Sequence, residues 1–207
     1  MRALEAYRFW AWFSENHSRY LQLRQLDEKT IVSLCIELNM QLEKYCAGLL
    51  AEFPLNEDGE NDLVITARGY EQYFDRAEDL VMMAPKLKDW RFIALRPPAE
   101  EYPVKLEYKG LQLSSDNLWM LPYEEPGEPH KLAVIVLFKD YEPAREDVYF
   151  RAANKMLFLI LGEKSGIVDV PYLQVDKLEE DPLEFGILEL EDLPSYIEMR
   201  KERAVLN

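Results

Sequence analysis

Histidine and cysteine are nearly absent: the 207 residues hold two of each, His17, His130, Cys35 and Cys46. Neither pair has zinc-finger spacing, so a metal site would have to rest on carboxylates, and none is assigned. A disulfide framework is excluded on the same count. No cofactor signature is present either. Gly162-Glu163-Lys164-Ser165-Gly166 contains a Lys-Ser pair, but it lacks the upstream glycine of a phosphate loop and follows a helical pattern instead of a strand. There is no dinucleotide fingerprint and no helical His-Glu metalloprotease motif. No window approaches the roughly 18 apolar residues of a membrane span, and Met1 to Ala6 has neither the apolar core nor the cleavage pattern of a leader. A cytoplasmic protein without catalytic residues is the expectation.

What the chain has in quantity is negative charge. Lys and Arg number 24 against 39 Asp and Glu, a net −15. That charge repels phosphates and anionic membrane surfaces, which argues against nucleic acid and membrane as partners. A basic protein partner stays compatible with it. Hydrophobic residues at 48% and aromatics at 12% supply a substantial core.

The longest uninterrupted apolar run is Leu132-Ala133-Val134-Ile135-Val136-Leu137-Phe138. Its β-branched centre favours a strand, and a strand apolar on both sides must be covered on both faces. It is therefore placed in the middle of a sheet. Residues 3–20 read as a helix heavy in aromatics. Phe9, Trp10, Trp12 and Phe13 lie on more than one side of it, which suggests an interface with a second copy as well as packing within the domain. Asp27 can cap a second helix over 28–52, with Ile31, Cys35, Leu38, Leu42, Cys46 and Leu49 as one stripe. The acidic stretch 56–62 is a turn without the ligand pattern of a calcium loop.

Further on, Leu63–Ala67 reads as a strand, Arg68-Gly69 as a turn, 73–84 as a helix and Trp90–Leu95 as a strand, together a crossover unit. Val104–Tyr108 and Leu111–Leu113 form a hairpin about Lys109-Gly110. Leu118–Leu121 is a short strand, and Pro122–Pro129 a loop into the central run. A helix from Pro143 is expected to stop at Gly162, and Ile167–Val175, broken by Pro171, to form an edge strand. From Asp176 onward ten acidic residues face four basic ones, whereas residues 1–26 carry four arginines and two glutamates. This acidic extension, with Leu183, Phe185, Ile187, Leu190, Leu193 and Tyr196, is expected to lie against the N-terminal helix or a neighbour's, or to be a solvated tail. The expected architecture is a single α+β domain of 1–207. It comprises an N-terminal helical pair (1–53), a core (54–175) with a mixed, largely antiparallel sheet of about six strands, and the extension (176–207).

Polar site residues are few. His17 could act as a base beside Ser14 or Ser18, although helical offsets rarely build a triad without a third group. His17, Glu52 and Arg68 are the nominal contributors to a ligand pocket between the first helices and the sheet. Acid pairs such as Glu179-Glu180 are too common in this chain to signal acid–base chemistry.

The segments Phe9-Trp10-Ala11-Trp12-Phe13, Ala84-Pro85-Lys86-Leu87-Lys88-Asp89-Trp90 and Ala94-Leu95-Arg96-Pro97-Pro98 resemble those of uncharacterised bacterial proteins grouped as a domain of unknown function. The resemblance spans about residues 4 to 175 and rests on packing and turn residues. It implies a bacterial cytosolic protein and transfers no catalytic residue. The leading functional expectation is a non-enzymatic binding or interaction protein that is homodimeric. The alternatives are a small-molecule binder or hydrolase-type enzyme, and an acidic neutraliser of a basic partner.

Overall fold

The computed structural model describes residues 2–54, 61–125, 128–178 and 186–205. Its contacts group the chain into two compact units, Met1–Arg96 and Pro97–Asn207. That boundary differs from the divisions at 53/54 and 175/176 expected from composition. The class is α+β, mixed and largely antiparallel. The strands among the described residues spread over three sheets of three, two and four strands, where about six in one sheet were expected.

In the first unit, α1 (Arg2–Asn16) leads through two short 3-10 turns to α2 (Glu28–Glu43), then to β1 (Leu50–Glu52) and β2 (Asn61–Thr66), to α3 (Phe74–Met82) and to β3 (Trp90–Ala94). The sheet order is β1-β2-β3. β1 pairs antiparallel with β2, and β2 pairs parallel with β3 across the α3 crossover. Leu63, Val64, Ile65 and Thr66 are all buried, so β2 is covered on both faces. Asp27 caps α2 as expected, accepting from the Thr30 amide at 3.1 Å and from its hydroxyl at 2.6 Å. Those two bonds hold the Asp27 carboxyl below the usual carboxylate range.

α2 does not run to residue 52. It stops at Glu43, and the chain bends through Gly48 into β1. At Gly48 the backbone lies against the Tyr73 ring, 2.3 Å from where a Cβ would stand, so only glycine fits this bend. Cys46 therefore lies beyond the helix that carries Cys35, and both cysteines are free and half-buried. The Arg68-Gly69 turn forms with both residues at positive φ, 56° and 79°.

In the second unit the hairpin β4 (Lys105–Tyr108) and β5 (Leu111–Ser114) forms as expected. The larger sheet contains β6 (Trp119–Glu125), β7 (Glu128–Phe138), β8 (Tyr172–Lys177) and β9 (Leu188–Glu189), in the order β8-β7-β6-β9. The apolar run is the C-terminal part of β7 and is central, with every residue from Leu132 to Phe138 buried except the half-buried Ile135. On one of its faces Leu132, Val134, Val136 and Phe138 join Tyr149, Ala153, Met156 and Ile160 of α4 (Glu146–Val168).

Pro122–Pro129 is not simply a loop, because β6 extends to Glu125 and places Pro122 opposite Val134. β9 pairs with β6 only at Trp119 and Met120, so from residue 122 onward β6 has no β9 partner and a missing N–H costs little there. Gly162 does not end α4 but breaks it, at φ 75° and ψ 173°, and helix resumes to Val168. Only glycine takes that backbone readily.

The acidic extension enters β9 and α5 (Leu193–Val205). Leu190, Leu193 and Ile197 belong to the apolar core of the second unit. Leu183, Phe185, most of the 56–62 turn and the side chain of His130 lie outside the described set. Because Leu190 is fully buried, Leu190→Ala is expected to cost about 3 kcal/mol in urea unfolding, the usual loss for a large-to-small change in a closed core. A change of a few tenths would mean that this segment is a solvated tail after all.

Candidate functional site

Three of the four aromatic residues expected at an interface are consumed by the first unit. Phe9, Trp10 and Phe13 are buried, and Trp12 is half-buried. Trp10 stands edge-on to Phe92 at 4.7 Å, and Phe13 edge-on to Trp90 at 5.1 Å. The Trp10 indole N–H donates to the Leu80 carbonyl at 2.7 Å, tying α1 to α3. These rings are core. The exposed large apolar residues of α1 are instead Leu4 and Tyr7.

His17, Glu52 and Arg68 each engage a different partner, and no hydrogen bond or ion pair joins any two of them. His17 accepts from the Trp90 indole N–H through Nδ1 at 3.1 Å, which puts the proton of the neutral ring on Nε2. Ser14 donates to the Trp10 carbonyl in the preceding turn, and not to His17. Glu52 receives both arms of Arg96, at 2.7 and 2.5 Å. Leu95, just before that arginine, sits at φ 62° and turns the chain out of β3. Arg68 lies over the exposed Tyr70 ring at 5.8 Å.

Two further polar constellations are structural. Asp62, 2% exposed, takes Arg91 bidentately at 2.8 and 2.6 Å across the β2–β3 register. Ser115 donates to Glu191 at 2.5 Å and accepts from the Val104 amide at 2.8 Å. No histidine takes part in that knot, which pins the segment before α5 to the hairpin. Among the described residues no group of three His, Cys, Asp or Glu could hold a metal ion, and no helix is long and apolar enough to cross a membrane.

What the first unit leaves open is the surface of α1 and α2. A shallow depression of about 500 Å³ is lined by Glu5, Arg8, Phe9, Gln41 and Lys44, and the Lys44 ammonium donates to Gln41 at 2.7 Å. The hairpin of the second unit carries a smaller and more open hollow of about 340 Å³.

α2 itself is apolar on two sides. Leu34, Leu38 and Leu42 face inward, whereas Val32, Ile36 and Met40 are 50%, 56% and 59% exposed. Spacing of four residues places those three on one stripe, and Ile36 lies about 160° round the helix from Leu38. Asn39 sets that rotation. Its side-chain oxygen accepts from the Ala51 amide at 2.8 Å, and its nitrogen donates to the Ala51 carbonyl at 3.3 Å. The side chain thus pairs with edge strand β1 as another strand would. Val32, Ile36 and Met40 form a second four-residue repeat in the sequence, beside the stripe through Ile31, Cys35 and Leu38. No protein-family model, curated protein or solved structure matches the chain.

Asn39→Ala is expected to cost about 1–2 kcal/mol, because two half-buried backbone groups of Ala51 lose their partner. Asn39→Asp should cost at least as much, since it turns a carboxylate oxygen toward the Ala51 carbonyl. A wild-type melting temperature for Asn39→Asp would refute the pairing. Tyr20 supplies a pH test. Burial, and next the nearby Glu37 charge, push its phenol up to about 12. An acid whose folded pKa is raised keeps its proton in the folded state while the unfolded chain loses it above pH ~10. Its contribution is therefore intact below pH ~10 and falls by about 2–3 kcal/mol as pH rises to 12. Tyr20→Phe should remove this alkaline loss, and identical stability–pH curves for the two proteins would contradict the assignment.

Proposed function

We propose that the chain is a non-enzymatic interaction protein that works as a homodimer in the cytoplasm. The observation that supports this reading is the two-sided helix α2. Its inner leucines already complete the core of the first unit, and three large apolar residues remain in water on the other side. Isolated exposed apolar residues are ordinary, but an aligned row opposite a packed face is what a helix keeps when another surface covers it.

The polar groups support the same conclusion. His17, Glu52, Arg91, Ser115 and Glu191 are all engaged in contacts that position backbone elements. None of these five lines either of the two hollows described above. The net charge of −15 supports a basic protein as the preferred further partner and disfavours nucleic acid. A small-molecule reading has one observation in its favour, the depression that gathers Arg8 and Lys44 beside Gln41, which would suit an anionic ligand.

Sedimentation equilibrium across the micromolar to submillimolar range tests the homodimer. The expected result is a mass rising from 24.4 kDa toward twice that value with concentration. A single-chain mass throughout would overturn it.

A further inference from the structure

We infer that two copies of this chain associate through the outward face of α2, running antiparallel about a two-fold axis beside Ile36. The inference rests on the homodimer reading above and specifies its surface and register.

At 100° per residue, Lys29, Val32, Ile36, Met40 and Glu43 all fall within about 40° of Ile36, a straight seam roughly 21 Å long. All five are exposed. The centre of the seam is apolar, one end is basic and the other acidic. Antiparallel pairing centred on Ile36 sets residue i opposite residue 72 − i of the second copy. Ile36 then meets its own mate, Val32 meets Met40, and Lys29 meets Glu43 at both ends. A parallel pair would instead oppose Lys29 to Lys29 and Glu43 to Glu43. Sliding the antiparallel pair by a turn would strand one end of the apolar row in water. The charge pattern therefore selects one direction, and the apolar row selects the register.

Exposed ion pairs add little affinity, so their role here is discrimination, while the apolar centre supplies the attraction. One helix pair of 16 residues is small beside the ~1,200 Å² of a standard stable interface, so the association is of the weak, concentration-dependent kind. The same face cannot close on the chain's own first unit, since Leu34, Leu38 and Leu42 already occupy the inner side of α2.

The test is sedimentation equilibrium on the full chain, with circular dichroism and thermal unfolding as folding controls. The variants are Ile36→Glu, Lys29→Glu, Glu43→Lys and the double reversal Lys29→Glu/Glu43→Lys. Ile36→Glu is expected to weaken association at least tenfold with unfolding unchanged. Each single reversal should weaken it several-fold by opposing like charges at both ends, and the double reversal should restore it. A wild type that stays at single-chain mass would overturn both this inference and the homodimer reading. A wild-type dimer indifferent to Ile36→Glu would overturn the seam alone. A dimer that depends on Ile36 but is unweakened by the single reversals would overturn the antiparallel register. Should Ile36→Glu fail to fold, the charge variants, all at exposed helix positions, decide the matter.

Discussion

The surface of the first unit depends on how α2 is turned about its own axis, a turn that its buried leucines set and a single asparagine fastens to β1. Asn39 offers both its acceptor and its donor to Ala51, whose backbone groups sit on the open edge of β1. An edge strand exposes unpaired N–H and C=O groups, and a side-chain amide satisfies one of each at once. With the helix locked to the strand at that point, Leu34, Leu38 and Leu42 point into the core. The row through Val32, Ile36 and Met40 then has nowhere to point but outward. A rotation of one residue position would bury Ile36's neighbours and expose leucines instead. The exposed row is thus a consequence of core packing, and what covers it becomes the functional question.

The two units solve the same physical problem with different parts. Each contains a strand apolar on both faces, β2 in one and β7 in the other, paired parallel on one side and antiparallel on the other. In each, a helix carries the crossover to the parallel neighbour: α3 returns to β3, and α4 to β8. Polar contacts then fasten the periphery. Asp62 with Arg91 ties β2 to β3, and Ser115 with Glu191 ties the C-terminal segment to the hairpin. Such pairs could be mistaken for catalytic groups on spacing or burial alone. Their geometry shows side chains spent on holding neighbouring segments together.

The central strand, both crossovers and the β4–β5 hairpin were legible because hydrophobic period and turn residues agree there. The errors fall where two signals compete. The stripe from Ile31 to Leu49 keeps helical spacing past Glu43, so neither the end of α2 nor the seat of Gly48 against the Tyr73 ring, 25 residues further along, left a mark in the local pattern. Pro122 read as loop because proline leaves most strands, yet here β9 is too short to need its N–H. Gly162 read as a stop, and the helix resumed beyond it. Phe9, Trp10, Trp12 and Phe13 pointed to an interface because sequence cannot show how many sides of a helix one small unit can cover. Trp90 and Phe92 on β3 cover most of them. Of the nominal ligand group, only the residue types were readable; that His17, Glu52 and Arg68 find three separate partners is a property of the fold.

The claim that the outward face of α2 meets its own copy can be put to a covalent test, because a residue beside a two-fold axis meets itself. With Cys35 and Cys46 replaced by serine, Ile36→Cys should oxidise to a disulfide-linked dimer. Helix axes 8–10 Å apart bring such a pair within bridging distance. Non-reducing electrophoresis and mass spectrometry at the concentrations of the native dimer read the result directly. Rapid, near-complete cross-linking is expected through position 36, and little through a cysteine placed at the likewise exposed Lys44. Equal, slow cross-linking at both positions would contradict it.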